Sequence, residues 1–198
     1  MKLEKNLFGN EVCIVTRNKG KINEINELLK DYENYINLVT CDVEKIEIQD
    51  DDIRKISLFA ALNAYNKIKR PVIVDDSGLF IYSLNGFPGP YSSFVYKTIG
   101  NDGILKLMEG IENREAYFKT SLAYVDSKTK KVFCGLVKGT ISLHQRGNNG
   151  FGFDPLFIPQ GVKLTFAEMD VINKNKYSHR AKAVKDFLNW FIKYKNNT

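Results

Sequence analysis

The sequence predicts an α/β protein built on a mixed β-sheet that helices flank. In the first 80 residues, apolar β-rich runs alternate with segments of helical periodicity in the order β-α-β-α-β, which is typical of a parallel sheet. In the second half, two β-rich runs are joined by a short polar turn, which predicts an antiparallel hairpin. We therefore expect one sheet that combines both kinds of pairing, in one domain or two tightly joined lobes.

The first half contains predicted strands at residues 12–16, 36–40 and 71–75. Apolar residues at helical spacing predict helices over 22–29 and 52–69, and acids at the start of the second favour its dipole. The second half predicts, in order, a short helix at 104–108, strands at 116–125 and 131–141 joined by the turn 126–130, a strand at 154–158 and a helix at 178–194.

Length and composition limit the class of protein. A chain of 198 residues fits one domain over 1–198, and no apolar run is long enough for a membrane span. The N-terminus lacks the apolar core of a signal peptide. Cys13, Cys41 and Cys134 are few and far apart, so we expect no disulfide framework or zinc site, and a reducing compartment such as the cytosol. The net charge of +6 suits nucleic acid or small phosphates.

A polar turn between the first strand and the first helix is a candidate phosphate site. Helix N-termini present unpaired N–H groups and a positive dipole end to phosphate oxygens. The candidate residues are Thr16, Asn18, Lys19, Gly20 and Lys21. An ordinary turn, with Asn18 as the N-cap and both lysines solvated, accounts for the pattern equally well.

Two acids, Asp75 and Asp76, end the third predicted strand, where ligands of open α/β sheets lie. This is the expected place for a metal or a general base. Mg²⁺ prefers one or two carboxylates plus phosphate oxygens, and Glu47, an acid between apolar neighbours, is the candidate second ligand. The acidic run 50–52 is more typical of a solvated helix start.

A glycine-flanked aromatic pair, Phe151 and Phe153, can clamp a planar base by stacking, with Gly152 between them and Asp154 as acceptor for a base N–H. The alternative is that both rings point into the core. Two prolines and two glycines stiffen the loop 85–93, which forms either a structural corner or one wall of a site.

The last helix begins with an unusual arrangement of charge. Ser178 is a natural N-cap, so His179 and Arg180 fall in the first turn, where the helix dipole disfavours positive charge. This placement indicates a functional demand, since Arg is a bidentate donor to carbonyl, carboxylate or phosphate acceptors. A solvated basic helix start is the alternative.

Together these elements resemble the inosine triphosphate pyrophosphatase family. They occur in the family's order and span residues 12–191. The residues that carry the resemblance are Thr16-x-Asn18-x-x-Lys21, the stretch 74–91 (VDDSGLFIYSLNGFPGPY), Gly152-Phe153-Asp154-Pro155, Ala167-Glu168-Met169 and Ser178-His179-Arg180.

The resemblance implies a cytoplasmic, homodimeric hydrolase that depends on Mg²⁺, with Mn²⁺ as a substitute, and converts ITP, dITP or XTP to the monophosphate and pyrophosphate. It implies an elongated mixed sheet between two lobes, with the active site in a central cleft. By position, Thr16, Asn18 and Lys21 resemble triphosphate binders, Glu47 and Asp76 metal ligands, Asp76 the base for the attacking water and Ser77 a substrate contact. The residues that resemble the family's base and specificity pocket are Phe151, Phe153, Asp154, Lys174, His179 and Arg180.

Two departures from the family pattern concern phosphate contacts. A lysine frequent in the helix after the Glu is replaced by Ala60, with Lys55 nearby, and Ser92 and Ser93 stand where a basic residue often follows the Pro-Gly-x-Tyr loop. In the base clamp, Phe153 replaces a Tyr or Trp.

Two alternative functions remain at this stage. A Maf-like nucleotide pyrophosphatase shares the architecture but lacks the Ser-His-Arg element. A small nucleic-acid-binding protein would also explain the positive charge and the aromatic pair.

Overall fold

The computed structural model describes residues 10–197, in which seven strands form one sheet. The strands are β1 (Glu11–Ile14), β2 (Asn37–Thr40), β3 (Val72–Ile81), β4 (Pro88–Gly89), β5 (Glu115–Val125), β6 (Lys130–Ile141) and β7 (Phe157–Pro159). Their spatial order is β2-β1-β3-β5-β6-β7, with β4 paired to β3. β1 pairs in parallel with β2 and β3, whereas the other pairs are antiparallel, so the predicted mixed sheet is confirmed.

Residues 10–197 contain six helices, of which four begin just after a capping side chain. They are α1 (Lys19–Leu29), α2 (Ile53–Ile68), α3 (Ser92–Thr98), α4 (Gly100–Leu107), α5 (Val171–Tyr177) and α6 (His179–Asn196), with short 3₁₀ turns at Lys30–Tyr32, Tyr82–Leu84 and Phe166–Glu168. Asn18, Asp52 and Ser178 each accept a hydrogen bond from a backbone N–H inside the helix that follows. These bonds satisfy donors that the helix itself leaves unpaired.

Buried apolar side chains form cores at both ends of the long strands β3, β5 and β6. At one end, α1 and α6 cover one face of the sheet, and α2 covers the other face with small residues such as Ala60 and Ala64. At the other end, a second core is built around Ile104, Phe157 and Phe166. The two ends, one with a core on each face of the sheet and one with the second core, correspond to the two tightly joined lobes of the resemblance.

One edge of β3 is only partly paired. β5 pairs with the opposite edge from Val72 to Ile81. On this edge β1 pairs at Val72 and Ile73, and β4 pairs at Leu79 and Phe80. Within residues 10–197 no strand pairs with the stretch between them, residues 74–78, which we call the β3 gap.

Several predicted elements differ from the structure. Asp75 and Asp76 do not end a strand, because the β5 pairing carries β3 on to Ile81. Of the predicted strand 154–158, only the last two residues belong to β7. Asp154 instead lies in a turn, where its carboxylate accepts a hydrogen bond from the Phe151 N–H.

Helices α3 and α5 were not predicted. Both have seven residues and are rich in Ser, Thr, Asn, aromatic or β-branched residues, which have weak helix propensity. The predicted helix at 104–108 is the second half of α4, which begins at Gly100.

The expectation that the cysteines form no disulfide is wrong. Cys13 of β1 and Cys41, just after β2, are joined by a disulfide, with their Cα atoms 5.7 Å apart. Parallel pairing of these strands brings together residues that are 28 positions apart in sequence. Cys134 is a free, exposed thiol.

The start of α6 lies directly on β6 at Gly135. A Cβ at this position would stand 1.9 Å from the His179 carbonyl oxygen and 2.8 Å from the Ala183 nitrogen. Gly135→Ala therefore forces the helix away from the sheet, and we expect it to lower the free energy of unfolding by about 1–3 kcal/mol. Chemical denaturation measures the loss.

The matched control is Cys134→Ala, which removes an exposed thiol next to Gly135 on the same strand. We expect its effect to stay within about 0.5 kcal/mol. Equal stabilities of the two variants would contradict the close approach of α6 to β6.

Candidate active site

A cleft of about 590 Å³ opens beside the β3 gap. All but two of the predicted site residues line it. These are Thr16, Asn18, Lys21, Glu47, Asp76, Ser77, Phe151, Gly152, Phe153, Asp154, Lys174, His179 and Arg180. The exceptions are Lys19, which is exposed, and Gly20, where a Cβ would lie 2.2 Å from the Phe151 ring. The structure thus places Lys19 and Gly20 outside the cleft.

The pleat of β3 divides the cleft chemically. Successive side chains of a strand point to opposite faces. Ile73 packs into the core under α1 and α6, whereas Val74 packs against α2. Asp75 and Ser77 therefore face α1 and α6, and Asp76 faces α2.

On the α1 and α6 face, a network of buried charges joins three helices to the sheet. Glu24 of α1 accepts from the Lys174 ammonium at 2.6 Å and from the Arg180 guanidinium. Lys174 also pairs with Asp154, and Arg180 Nε donates to Asp75 Oδ2 at 3.1 Å. Arg180 is 1% exposed, so the cation at the start of α6 is not the solvated charge of the alternative interpretation.

Electrostatics decides which of these buried acids is ionised. Burial would raise the pKa of Glu24, but Arg180 and Lys174 hold it below its usual value. Burial acts likewise on Asp75, where Lys21, Arg180 and Lys45 outweigh it and hold the pKa well below normal. Both acids are therefore anchors that stay negatively charged.

The turn at residues 16–21 caps α1 and also lines the cleft. Asn18 is the N-cap of α1, accepting from the Lys21 N–H at 3.1 Å, and it also lines the cleft. The Lys21 ammonium lies 3.3 Å from the Asp75 carbonyl oxygen and 3.2 Å from Asp75 Oδ2. Burial lowers the pKa of Lys21, and Asp75 opposes this effect.

On the α2 face, Asp76 and Glu47 share a cation. The Lys45 ammonium pairs with Glu47 and lies 3.9 Å from Asp76 Oδ1. Asp76 Oδ2 is buried and has no hydrogen-bond partner among the described residues. Burial, with help from Glu47 and Asp75, raises the pKa of Asp76 to about 6, although Lys45 and Lys21 oppose the shift.

These donors fit a hard divalent cation. Two carboxylates and an unpartnered carboxylate oxygen match the way Mg²⁺ is bound by one or two acids together with phosphate oxygens. Across residues 10–197 no group of three or more His, Cys, Asp or Glu forms an all-protein metal cage. The site therefore suits a metal that arrives with, or is completed by, a phosphate ligand.

The aromatic residues divide into one cleft ring and one core ring. Phe153 is 3% exposed and belongs to the second core, although it also lines the cleft. The centre of the Phe151 ring lies 4.9 Å from the Lys174 ammonium.

His179 stacks on Phe118 with their ring centroids 4.6 Å apart, and its buried Nδ1 has no partner within the described chain. Burial, with Arg180 and Lys174, holds the pKa of His179 well below normal, so its ring is neutral.

The sequence analysis missed several contributors to the site, among them Glu24, Lys45, Lys97 and Phe118. In the sequence, Glu24 looks like an ordinary solvated acid of a helix. Only its position on the helix face toward the sheet could have indicated that it is buried. Lys45, Lys97 and Phe118 line the cleft from a loop, from unpredicted α3 and from β5. No local motif marks these three.

The two departures from the family pattern have different structural consequences. Ala60 is buried in the core beneath α2, and Lys55 is exposed and paired with Asp50, so neither supplies a cation to the cleft. Ser92 donates to the Gly89 carbonyl and accepts from the Leu79 N–H, both at 2.8 Å. The loop 85–93 is thus both a structural corner and, through Ser93, a wall of the cleft.

The fold and the cleft define a nucleotide-binding type of α/β protein, with Lys45, Glu47 and Asp76 on one side of β3 and the buried charge network beside the Phe151 ring on the other. Residues 12–190 match the Ham1 family, and the chain belongs to it. This confirms the resemblance that the sequence analysis gave.

Relatives and solved structures agree with this assignment. The chain is 52% identical over 186 residues to a protein of Saccharolobus solfataricus named dITP/XTP pyrophosphatase, covering 94% of this chain and 96% of the relative. It is 48% identical to a protein of the same name from Hyperthermus butylicus, covering 92% and 95%. The Ham1 protein of Staphylococcus aureus superposes with a TM-score of 0.79 at 26% identity, covering 91% and 97% of the two chains.

Adjacent Asp75 and Asp76 should affect stability in opposite directions. The pKa of Asp76 lies above its usual 3.8, so the folded chain binds this proton more tightly than the unfolded chain, and stability falls as pH rises from about 4 to 6. Without metal, we expect Asp76→Asn to gain about 1–3 kcal/mol relative to the native chain across this window. Denaturation in a chelator at several pH values measures it.

Asp75→Asn is the matched control. The pKa of Asp75 is depressed, so its ionised form stabilises the fold above its unfolded-state pKa, and that contribution is lost only in strong acid. We expect this variant to be less stable than the native chain at neutral pH. If both substitutions changed the free energy of unfolding in the same direction, the two different environments of Asp75 and Asp76 would be contradicted.

Proposed function

We propose that this protein is a nucleoside triphosphate pyrophosphatase that hydrolyses ITP, dITP and XTP to the monophosphate and pyrophosphate, and so removes non-standard purines from the nucleotide pool. The observation that carries the proposal is the meeting of the predicted phosphate, carboxylate and base-pocket residues in one cleft. The name that relatives at 42–52% identity bear, over at least 90% of this chain, supports the same reaction.

Phosphate binding falls to the turn before α1. The Thr16 hydroxyl, the Asn18 amide and the Lys21 ammonium line the cleft beside the N-terminus of α1, whose N–H groups and dipole favour anionic oxygens. Lys21 balances the charge that develops on the leaving pyrophosphate. All triphosphates share the phosphates that we assign to these groups, so the groups serve every triphosphate alike.

The hydrolytic step belongs to the α2 face. Glu47 and Asp76 are the residues that would hold Mg²⁺, or Mn²⁺ in its place, and the ion would polarise the phosphate and lower its charge. Asp76 accepts a proton from the attacking water. In the site without metal, burial raises its pKa to about 6, and a bound cation would favour the ionised form that accepts the proton.

Base selection belongs to the opposite face. Hypoxanthine and xanthine carry a carbonyl at position 6, which accepts a hydrogen bond, whereas adenine carries an amino group there. Arg180 has guanidinium N–H groups beyond those it gives to Glu24, Asp75 and Ser77, and it lines the cleft. Adenine leaves such a donor unpaired, at a cost of about 1–3 kcal/mol.

Three further properties belong to this proposal: the number of domains, the oligomeric state and the location in the cell. We infer that the chain is one domain, because β3, β5 and β6 enter both cores. We also infer that the protein is a homodimer, as the resemblance implies. We place it in the cytoplasm, where the nucleotide pool lies. In residues 10–197 no helix combines the length and apolar character needed to cross a bilayer.

A pyrophosphate-release screen tests the function directly. The substrates are ITP, dITP, XTP, GTP, ATP and modified pyrimidine triphosphates, each with Mg²⁺, with Mn²⁺ and with a chelator. We expect turnover of the first three, dependent on the metal, and loss of most activity in Asp76→Asn. Turnover confined to modified pyrimidines, or salt-sensitive oligonucleotide binding without any hydrolysis, would contradict the proposal.

Arg180→Ala tests the assignment of base selection. We expect kcat/KM for ITP to fall by about 10- to 150-fold while that for ATP changes little, because the lost hydrogen bond forms only with a carbonyl. The ITP/ATP ratio of kcat/KM is the measurement. Since Glu24 and Asp75 lose their partner, the assay is run well below the melting temperature of the variant.

The control is Lys182→Ala, the next basic residue on α6, whose ammonium bonds to the Leu136 carbonyl outside the cleft. We expect its ratio to match the native enzyme. A parallel fall for both substrates in Arg180→Ala would instead move Arg180 to the phosphates.

A further inference from the structure

Lys45 occupies an unusual position in the cleft. It lies in the loop between β2 and α2, and its ammonium contacts oxygens of three residues. These are a carboxylate oxygen of Glu47, the carbonyl oxygen of Asp75 at 3.1 Å and, more distantly, Asp76 Oδ1 at 3.9 Å. Only 20% of its side chain is exposed. Glu47 and Asp76 are the two carboxylates that we assign to the metal.

The ammonium and a divalent ion compete for the same two carboxylates. Mg²⁺ takes ligand oxygens at about 2.0–2.1 Å, so an ion held by Glu47 and Asp76 would lie close to the ammonium, and two cations that near repel each other. Glu47 is paired directly with Lys45, so a bound metal would weaken this ion pair. The Asp75 carbonyl remains available to Lys45, since it is no part of the carboxylate pair.

Lys45 is also well placed for the phosphates. Lys21 and Lys45 reach the same Asp75 carbonyl oxygen, at 3.3 and 3.1 Å, from α1 and from the β2–α2 loop. This oxygen lies in the β3 gap, where the cleft opens. The two ammonium groups are therefore neighbours, and an anion bound by Lys21 is within reach of Lys45.

The three basic residues of α2 are each paired with an acid other than Glu47 and Asp76, and Lys67 of its last turn is paired with Glu44. Ala60 is buried and apolar, and the Lys55 ammonium is paired with Asp50 on the surface. Arg54, the remaining basic residue at the start of α2, is paired with Asp52.

We propose that Lys45 is an exchangeable cation of the active site. In the free enzyme it neutralises Glu47 and Asp76, and when the divalent ion binds it leaves them and pairs with the triphosphate beside Lys21. This rests on the proposed function for the identity of the anion. The competition with the metal rests on the geometry alone.

The proposal predicts that one substitution raises the affinity for the metal and lowers kcat/KM. Lys45→Met keeps the length of the side chain and removes its charge. We expect Mn²⁺, titrated without nucleotide and followed by its electron paramagnetic resonance signal, to bind about 3- to 10-fold more tightly, because its competitor is gone. We expect kcat/KM to fall about 10-fold or more for ITP and XTP alike, since a charged phosphate contact is lost.

Two further variants keep the test decisive. Lys45→Arg retains the charge and should bind Mn²⁺ as weakly as the native enzyme. Lys55→Met removes a lysine outside the cleft and should change neither quantity. Thermal unfolding confirms that each variant is folded, and Lys45→Gln replaces the Met variant if that one does not fold.

The outcomes separate this proposal from the proposed function. Unchanged or weaker Mn²⁺ binding in Lys45→Met would overturn the competition and make Lys45 an orienting partner of the carboxylates. Tighter Mn²⁺ binding with unchanged kcat/KM would overturn the phosphate contact. If the native enzyme hydrolyses no triphosphate, the proposed function fails, whereas the Mn²⁺ titration still decides whether Lys45 and the metal exchange.

Discussion

The β3 gap is the constraint on which the rest of the site depends. A strand in the middle of a sheet normally pairs on both edges, yet residues 74–78 of β3 pair only with β5. Because the edge is open, both faces of β3 reach the same cleft, and the Asp75 carbonyl is free of the sheet and accepts from Lys21 and Lys45 instead. A single strand thus presents Ser77 to one side of a ligand and Asp76 to the other, while buried Asp75 holds the cations behind Ser77.

Adjacent acids on that strand acquire opposite properties from their surroundings. Asp75 is surrounded by Lys21, Arg180 and Lys45 and stays ionised, whereas Asp76 is buried with an unpartnered oxygen, and its pKa is raised to about 6. The first acid is an anchor for cations, and the second can take up a proton or a metal. This division needs no difference in residue type, because pKa values follow burial and neighbouring charge.

The sequence predicted most of this site, and the failures follow a pattern. Residues that act next to their own helix cap or strand, such as Asn18, Asp76 and Arg180, carry local signals. Glu24 does not, because an acid on an amphipathic helix is usually solvated, and only the arrival of Lys174 and Arg180 from α5 and α6 makes it a buried anchor. The same holds for the Cys13–Cys41 disulfide, which the pairing of β1 with β2 creates, and for Lys45, whose loop has no regular pattern.

The cleft requires positive charge beside its carboxylates, but it does not require that this charge come from a particular position in the sequence. A triphosphate and a pair of carboxylates both need positive charge nearby, and Coulomb attraction at contact distance does not depend on which element carries the ammonium. Lys45 reaches the carboxylates from a loop, while Ala60 fills the core under α2 where a charge would be desolvated. A cation on a loop has one property that a cation locked into a helix face lacks. It can leave its carboxylates without disturbing a packed core, so the same side chain can serve the free site and then the filled one.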